Sequence, residues 1–427
     1  MRSLYTLVMY LMTPVILFRL AWRGLRYREY FSRWRERFGY FPSPGLDGPI
    51  LVHAVSVGEF NAAIPLIEAL MQRYAERPFV ITTITPTGSE RVLAQFGDRV
   101  FHVYLPYDLP TAVRRFLDRV RPSFAVVMET EIWPNLFIAC QQRGIPIVLA
   151  NARLSQRSLL RYRPVASLAE RALRCCTFVA AQSGTDARRL LRLGADPARL
   201  SIAGNIKFDL AVPASLPEQG NGLRALWGAS RPVWIAASTH EGEDEPVLRA
   251  HLAVLRGLPD ALLLIAPRHP ERFRPVLALA QELGLACRVR TEHAQPQQGT
   301  QCFVIDTMGE LLAYFAACDV AFVAGSLIPI GGHNVLEPAV LGKPVVVGPH
   351  TFNFGEVTEL LIEAGAALRI ADGTQLAPAI EDLLRNSNAR ASMSCAALAV
   401  VMRERGAVDR TMTIVANAMP QKPLQIT

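Results

Sequence analysis

"LVHAVSVGEFNAAIPLIEAL", residues 51–70, decides the architecture. An apolar, β-branched run meets Ser56 and Gly58, and apolar residues then recur at 60, 63, 64, 67, 70 and 71, the spacing of a helix. A strand that turns directly into a helix is the first half of a βαβ unit, the building block of parallel sheets. Pro65 either sits early in that helix or kinks it. One acid, Glu59, stands at the seam, where a helix opening favours the anion and Gly58 lets the turn run close to a ligand. A lone acid at a helix start is ordinarily structural, so its meaning rests on the rest of the chain.

Outward from this stretch the pattern repeats. "PILVHAVS", "FVITTIT", "VFHVYLP", "SFAVVMET", "IPIVLANA", "TFVAAQS" and "LSIAGNI" alternate with helical stretches, and "PVWIAAST", "ALLLIAP", "CFVIDT", "VAFVAGS" and "PVVVGP" form a second series. Short, continuously apolar runs predict parallel sheets covered on both faces. The chain of 427 residues exceeds one ordinary core, and two doubly wound α/β domains are expected. The boundaries read from sequence are a basic amino-terminal segment at 1–40, a first Rossmann-like domain at 41–210, a linker at 211–230 and a second Rossmann-like domain with carboxy-terminal helices at 231–427. Ligands of such domains bind at the carboxyl ends of the strands, in the cleft between the two.

The hydrophobic fraction of 51% is high and the charged fraction of 19% low, which calls for extensive burial or membrane contact. Of the formal charge of +8, residues 1–40 hold eight arginines against Glu29 and Glu36, a surplus of six. The remainder is close to neutral, which excludes a nucleic-acid-binding face as the source of the basic balance. Seven scattered cysteines without a C-x-x-C pair read as buried thiols of a reducing compartment, and no ligand spacing recommends a metal site.

From Ser3 to Phe18 there is no charge, but the run is short for a full span and holds Pro14. It reads as a marginal crossing or a helix lying in the membrane interface. "RLAWRGLRYREYFSRWRERFGY" interleaves arginines with Trp22, Tyr27, Tyr30, Phe31 and Trp34, a composition suited to anionic headgroups, and places the body of the protein on the cytoplasmic side. A cleaved signal peptide and a solvated helix packed on the body are the competing readings.

Three groups of residues carry candidate chemistry. "GSLIPIGGHNVLEPAVLGKPVVVGP", residues 325–349, reads as a glycine loop opening a helix, a place for an anionic phosphate, with Glu337 one turn in and able to accept from a ribose diol. "DTMGEL" repeats the pattern with Met308, Gly309 and Glu310, and "APRHPERF" puts Arg268 and His269 at another strand end. In "METEIWPN", Glu129 and Glu131 fall on one side by strand alternation, and "GNIKFD" brings Lys207 near the linker. A plain strand-to-helix turn for the glycines, capping for the acids and ordinary surface charge for the cations are the alternatives.

Taken together, "HAVSVGE", "TPTGSER", "YLPYDLP", "METEIWPN", "GNIKFD", "STHEGE", "PRHPERF", "DTMGEL", "GGHNVLEP" and "GPHTFNF" resemble the bacterial 3-deoxy-D-manno-oct-2-ulosonic acid (Kdo) transferases, from the amino terminus to about residue 360. The resemblance implies a GT-B glycosyltransferase with an amino-terminal membrane anchor, bound to anionic lipids at the cytoplasmic face of the inner membrane. Such an enzyme moves Kdo from CMP-Kdo to a lipid A precursor with inversion, and uses neither a metal nor any cofactor beyond the donor. By motif it implies Glu59 as general base, Glu129 and Lys207 as transition-state partners, and CMP binding by Arg268, by Met308, Gly309 and Glu310, and by Asn334, Val335, Leu336 and Glu337. "NVLEP" departs from the other small residues many relatives carry there, which matters little where backbone groups bind. A nucleotide-sugar epimerase of the same fold is the alternative.

Overall fold

The computed structural model describes residues 1–26, 28–31, 33–210, 212–292 and 295–419. Tyr27 of the basic segment, the first linker position Ala211 and the end of the chain at 420–427 lie outside them. The chain forms two compact units, residues 1–209 with 405–427, and residues 210–404.

The first unit is built on β1 (Ile50–His53), β2 (Phe79–Thr83), β3 (Phe101–Tyr104), β4 (Phe124–Met128), β5 (Ile147–Ala152), β6 (Phe178–Ala181) and β7 (Leu200–Ile202). All are parallel, in the order β3-β2-β1-β4-β5-β6-β7. Side chains alternate between the faces. Ala125 and Val127 of β4 enter the core shared with Leu51, Val80 and Leu149, while Phe124, Val126 and Met128 enter the opposite core with Ile50, Val52 and Ile81. That double burial explains why the strands read as unbroken apolar runs, each large side chain contributing about 1.5–3 kcal/mol.

The second unit repeats the plan with β8 (Val233–Thr239), β9 (Leu262–Pro267), β10 (Cys287–Val289), β11 (Cys302–Val304), β12 (Val320–Val323), β13 (Val345–Val347) and β14 (Ala367–Arg369), in the order β10-β11-β9-β8-β12-β13-β14. In both sheets the strand order reverses direction at one place, between β1 and β4 and between β8 and β12. The loops leaving those strands diverge there and open a crevice at the carboxyl ends.

Two boundaries differ from the sequence reading. Most of the expected linker is a helix, Leu216–Trp227, whose Gly220 lies so close to Ala316 that a Cβ would come within 2.7 Å. Its Trp227 stacks on Tyr314. The last helix, Ala407–Ala418, belongs to the first unit and buries Ala407, Val415 and Ala418 in the core behind β1 and β4. Asp209 fastens it, accepting from the backbone N–H of Gly406 at 2.7 Å and of Val408 at 2.6 Å.

The amino terminus forms α1 (Arg2–Leu11) and α2 (Thr13–Arg26). Among the described residues no single helix is long and apolar enough to cross a membrane; the pair could do so by length and composition, but it is bent by 45°. Two arginines of the basic segment are spent inside the protein. Arg37 is buried over the Tyr104 ring, and Arg33 pairs with Glu36 at 2.7 Å and donates to the His102 carbonyl. Five of the seven cysteines are buried, but Cys395 is exposed.

Candidate active site

Both candidate regions fall where the strand order reverses. In the first unit, β1 runs through Ala54 and Val55 into α3 (Val57–Arg73), with Pro65 inside the helix. Ser56 caps it, its Oγ accepting from the Glu59 N–H at 3.4 Å, while Glu59 Oε2 accepts from the Val55 N–H at 2.8 Å. This is a capping box shifted by one residue. The structural role expected of a helix-start acid is therefore present, and it fixes the carboxylate at the crevice. Burial, with the nearby charges of Glu129 and Glu131 adding to it, raises the Glu59 carboxyl to about 7 against the pull of the Val55 N–H.

Strand alternation does not place Glu129 and Glu131, because β4 ends at Met128 and Glu129 turns to φ +54°. A non-glycine residue held there costs about 1–3 kcal/mol, and such strain gathers at functional sites. The turn still leaves both acids acting on Glu59. Lys207 Nζ lies 3.7 Å from Glu129 Oε1, and Glu131 accepts from Trp133 Nε1 at 3.0 Å. The turn that carries Lys207 is held in part by Asn151, the next-to-last residue of β5 at φ +53°, which accepts from the N–H of the preceding Ile206 at 3.1 Å. Sequence reading missed Asn151; its signal was a lone amide at the end of "IVLANA".

In the second unit, Glu243 is fully buried after β8 and accepts from the N–H groups of Gly325, Ser326, Leu327 and His240 at 2.7–3.1 Å. It ties the loop after β12 to the loop after β8. "STHEGE" contains it, but its inward aim was not legible. The glycine loop is not a row of free donors leading into a long helix. The N–H groups of Gly331 and Gly332 both turn back to the Gly325 carbonyl, and the helix is the five-residue Leu336–Val340. Gly331, at φ +110°, sits under Phe352, whose ring a Cβ would meet at 2.5 Å.

Asn334 and Val335 precede that helix; Asn334 Nδ2 donates to Glu337 Oε1 at 3.0 Å, and burial pushes the Glu337 carboxyl up. Met308 and Gly309 are exposed, and Glu310 sits at the start of the helix Leu311–Ala317. Arg290 grips the Glu310 carboxylate through two bonds of 3.1 and 3.0 Å, and Thr307 also donates to it. Arg268 is exposed at the end of β9 and forms no ion pair among the described residues. Also among the described residues, no three His, Cys, Asp or Glu side chains are arranged to hold a metal ion.

Residues 32–210 match the family described as 3-Deoxy-D-manno-octulosonic-acid transferase (kdotransferase). The chain is 42% identical over 416 residues to 3-deoxy-D-manno-octulosonic acid transferase of Haemophilus influenzae, covering 97% of each chain. Among solved structures it shares its fold with UDP-GlcNAc 2-epimerase from Neisseria meningitidis, at 14% identity, TM-score 0.59, and coverage of 86% of this chain and 100% of that one. It also shares it with a glycosyltransferase from Rickettsia africae, at 14% identity, TM-score 0.55, and coverage of 88% and 99%. Two parallel α/β units with polar loops at each reversal of strand order, and these neighbours, define the GT-B class of fold. Within that class the near-complete match settles the rest: the chain belongs to the Kdo transferase family and is a glycosyltransferase.

Proposed function

We propose that the protein transfers Kdo from CMP-Kdo to a lipid A precursor, with inversion, and without a metal or further cofactor. The observation that carries the reading is the half-buried Glu59 carboxylate, anchored by Val55 and Ser56 and raised to about 7 beside the Lys207–Glu129 pair. A glucosamine hydroxyl must lose its proton as it attacks the anomeric carbon, and a base poised near neutrality does this best. Glu129 opposes the positive charge that develops on the sugar. Lys207, oriented by Glu129, offsets the Kdo carboxylate or the departing phosphate. In the second unit, Arg268 and the segments around Met308–Glu310 and Asn334–Glu337 receive the CMP moiety.

The amino terminus supports a lipid acceptor delivered at the cytoplasmic face of the inner membrane. Arg2 and Thr6 donate to Asn135, Tyr5 donates to Asp108, and Tyr10 meets Thr111, so the polar face of α1 is bound to the first unit. Leu4, Leu7, Val8 and Leu11 stay exposed, as do Phe18 and Trp22 of α2. A helix fastened along its polar side and bent from its successor suits the membrane interface, where its apolar face is buried among lipid tails and anionic headgroups meet the remaining arginines.

The epimerase reading shares only the fold. Measuring CMP release from CMP-Kdo with and without a lipid A precursor, together with the mass of the lipid, separates the two. Lipid-dependent release with added Kdo mass is expected; release that ignores the lipid would overturn the transfer reading.

A further inference from the structure

The second unit holds three histidines that the roles above leave unused. His240 follows β8, His269 follows β9, and His333 lies in the loop after β12, so three adjacent strands bring them to one sheet edge. The rings of His240 and His333 are nearly parallel, with centroids 5.0 Å apart and their Nε2 atoms 2.7 Å apart. His269 meets His240 edge-on at 5.3 Å. At 2.7 Å one Nε2 must donate and the other accept, so the two rings share one hydrogen.

The arrangement is built in. The His333 ring rests on Gly325, at φ +70°, where a Cβ would come within 2.8 Å of Cδ2. Glu243 holds Gly325 and His240 to the same carboxylate. Arg268, His269 and Arg272 face the pair, and the acids beside it among the described residues are already engaged, Glu243 by backbone N–H groups and Asp244 by Arg272. Burial first, then His240, Arg268 and His269, pushes His333 down to about 4, and burial, then chiefly His269 and Arg268, lowers His240 as well. Without an anion the pair is therefore neutral at physiological pH. A phosphate beside Arg268 reverses the local field and favours an imidazolium.

We propose that the His240–His333 pair donates the proton to the phosphate of the departing nucleoside monophosphate, an inference that rests on the transfer reading. The acceptor oxygen bonds to the anomeric carbon and its proton passes to Glu59. The bond from the anomeric carbon to the phosphate oxygen breaks, its electron pair stays on that oxygen, and the oxygen takes a proton from the pair. Glu59 then releases its proton to water and the pair regains one from water.

The test is the pH profile of kcat with CMP-Kdo and the lipid acceptor for the wild type, His240→Gln and His333→Gln, alongside melting temperature and CMP affinity. The wild type should lose kcat on the alkaline side as the imidazolium deprotonates. Each variant should lose about 10²-fold in kcat together with that limb, while melting temperature and CMP affinity stay close to wild type. Variants that keep the wild-type kcat and alkaline limb would overturn the proposal. So would parallel losses of melting temperature and CMP binding in both variants, which mark a structural pair. A wild type that does not transfer at all would instead strike the transfer reading, and this inference with it.

Discussion

The two parallel sheets place their polar loops at the same kind of position and fill them with opposite charge. At the β1/β4 reversal, Glu59, Glu129 and Glu131 crowd together with Lys207 as the neighbouring cation. At the β8/β12 reversal, Arg268, His240, His269 and His333 gather, and the acids among them, Glu243 and Asp244, are already engaged. One architecture thus supplies two sites whose character is set by a few loop residues, as expected when function is grafted onto a common fold. Burial beside two other acids raises the Glu59 carboxyl and favours taking up a proton, whereas an exposed arginine beside imidazoles suits an anion.

That contrast is open to attack by substitution, and the largest effect belongs to the acid side. Glu59→Gln removes the proposed base while keeping its shape and its bond to Val55. Transfer should fall by about 10²–10⁴-fold with CMP affinity unchanged; comparable loss of both in assays run side by side would move Glu59 into the donor site or the fold. On the cationic side, Arg268→Ala should raise the donor KM by about 10- to 100-fold through loss of a charge-assisted hydrogen bond, with a smaller change in kcat. An unchanged KM would remove Arg268 from donor binding.

The smallest effect is thermodynamic. The Glu59 carboxyl titrates at about 7 in the folded chain against 4.5 for the ordinary group. Over that window the folded state binds more protons than the unfolded one, so this residue makes stability fall as pH rises. Glu59→Gln should therefore melt about 2–4 °C above the wild type at pH 8 and level with it at pH 4.5, as read by thermal unfolding. Equal melting curves at both pH values would deny the raised carboxyl.

Much of the fold was legible because double burial writes a strand as an apolar run. The twelve runs read from sequence correspond to β1–β9 and β11–β13. The missed strands, β10 and β14, are three-residue edges, "CRV" and "ALR", too short and too polar to stand out. The linker helix escaped because its buried face rests on Leu216, Gly220 and Trp227, and a glycine contributes no apolar signal. The last helix was assigned by nearness in sequence, yet Asp209 and the core behind β1 claim it through contacts some two hundred residues distant. At the sites, motif acids and cations were visible. Left-handed turns at Glu129 and Asn151, the inward aim of Glu243 and the meeting of His240 with His333 depend on tertiary placement.

The central claim is that a carboxylate raised first by burial and then by its acidic neighbours serves as the base, and the pH dependence of kcat/KM for lipid-dependent Kdo transfer by the wild type tests it most directly. The rate should fall tenfold per unit of pH below an inflection near 7, the value set by Glu59 in the free enzyme. A profile that stays flat down to pH 5 would contradict the account.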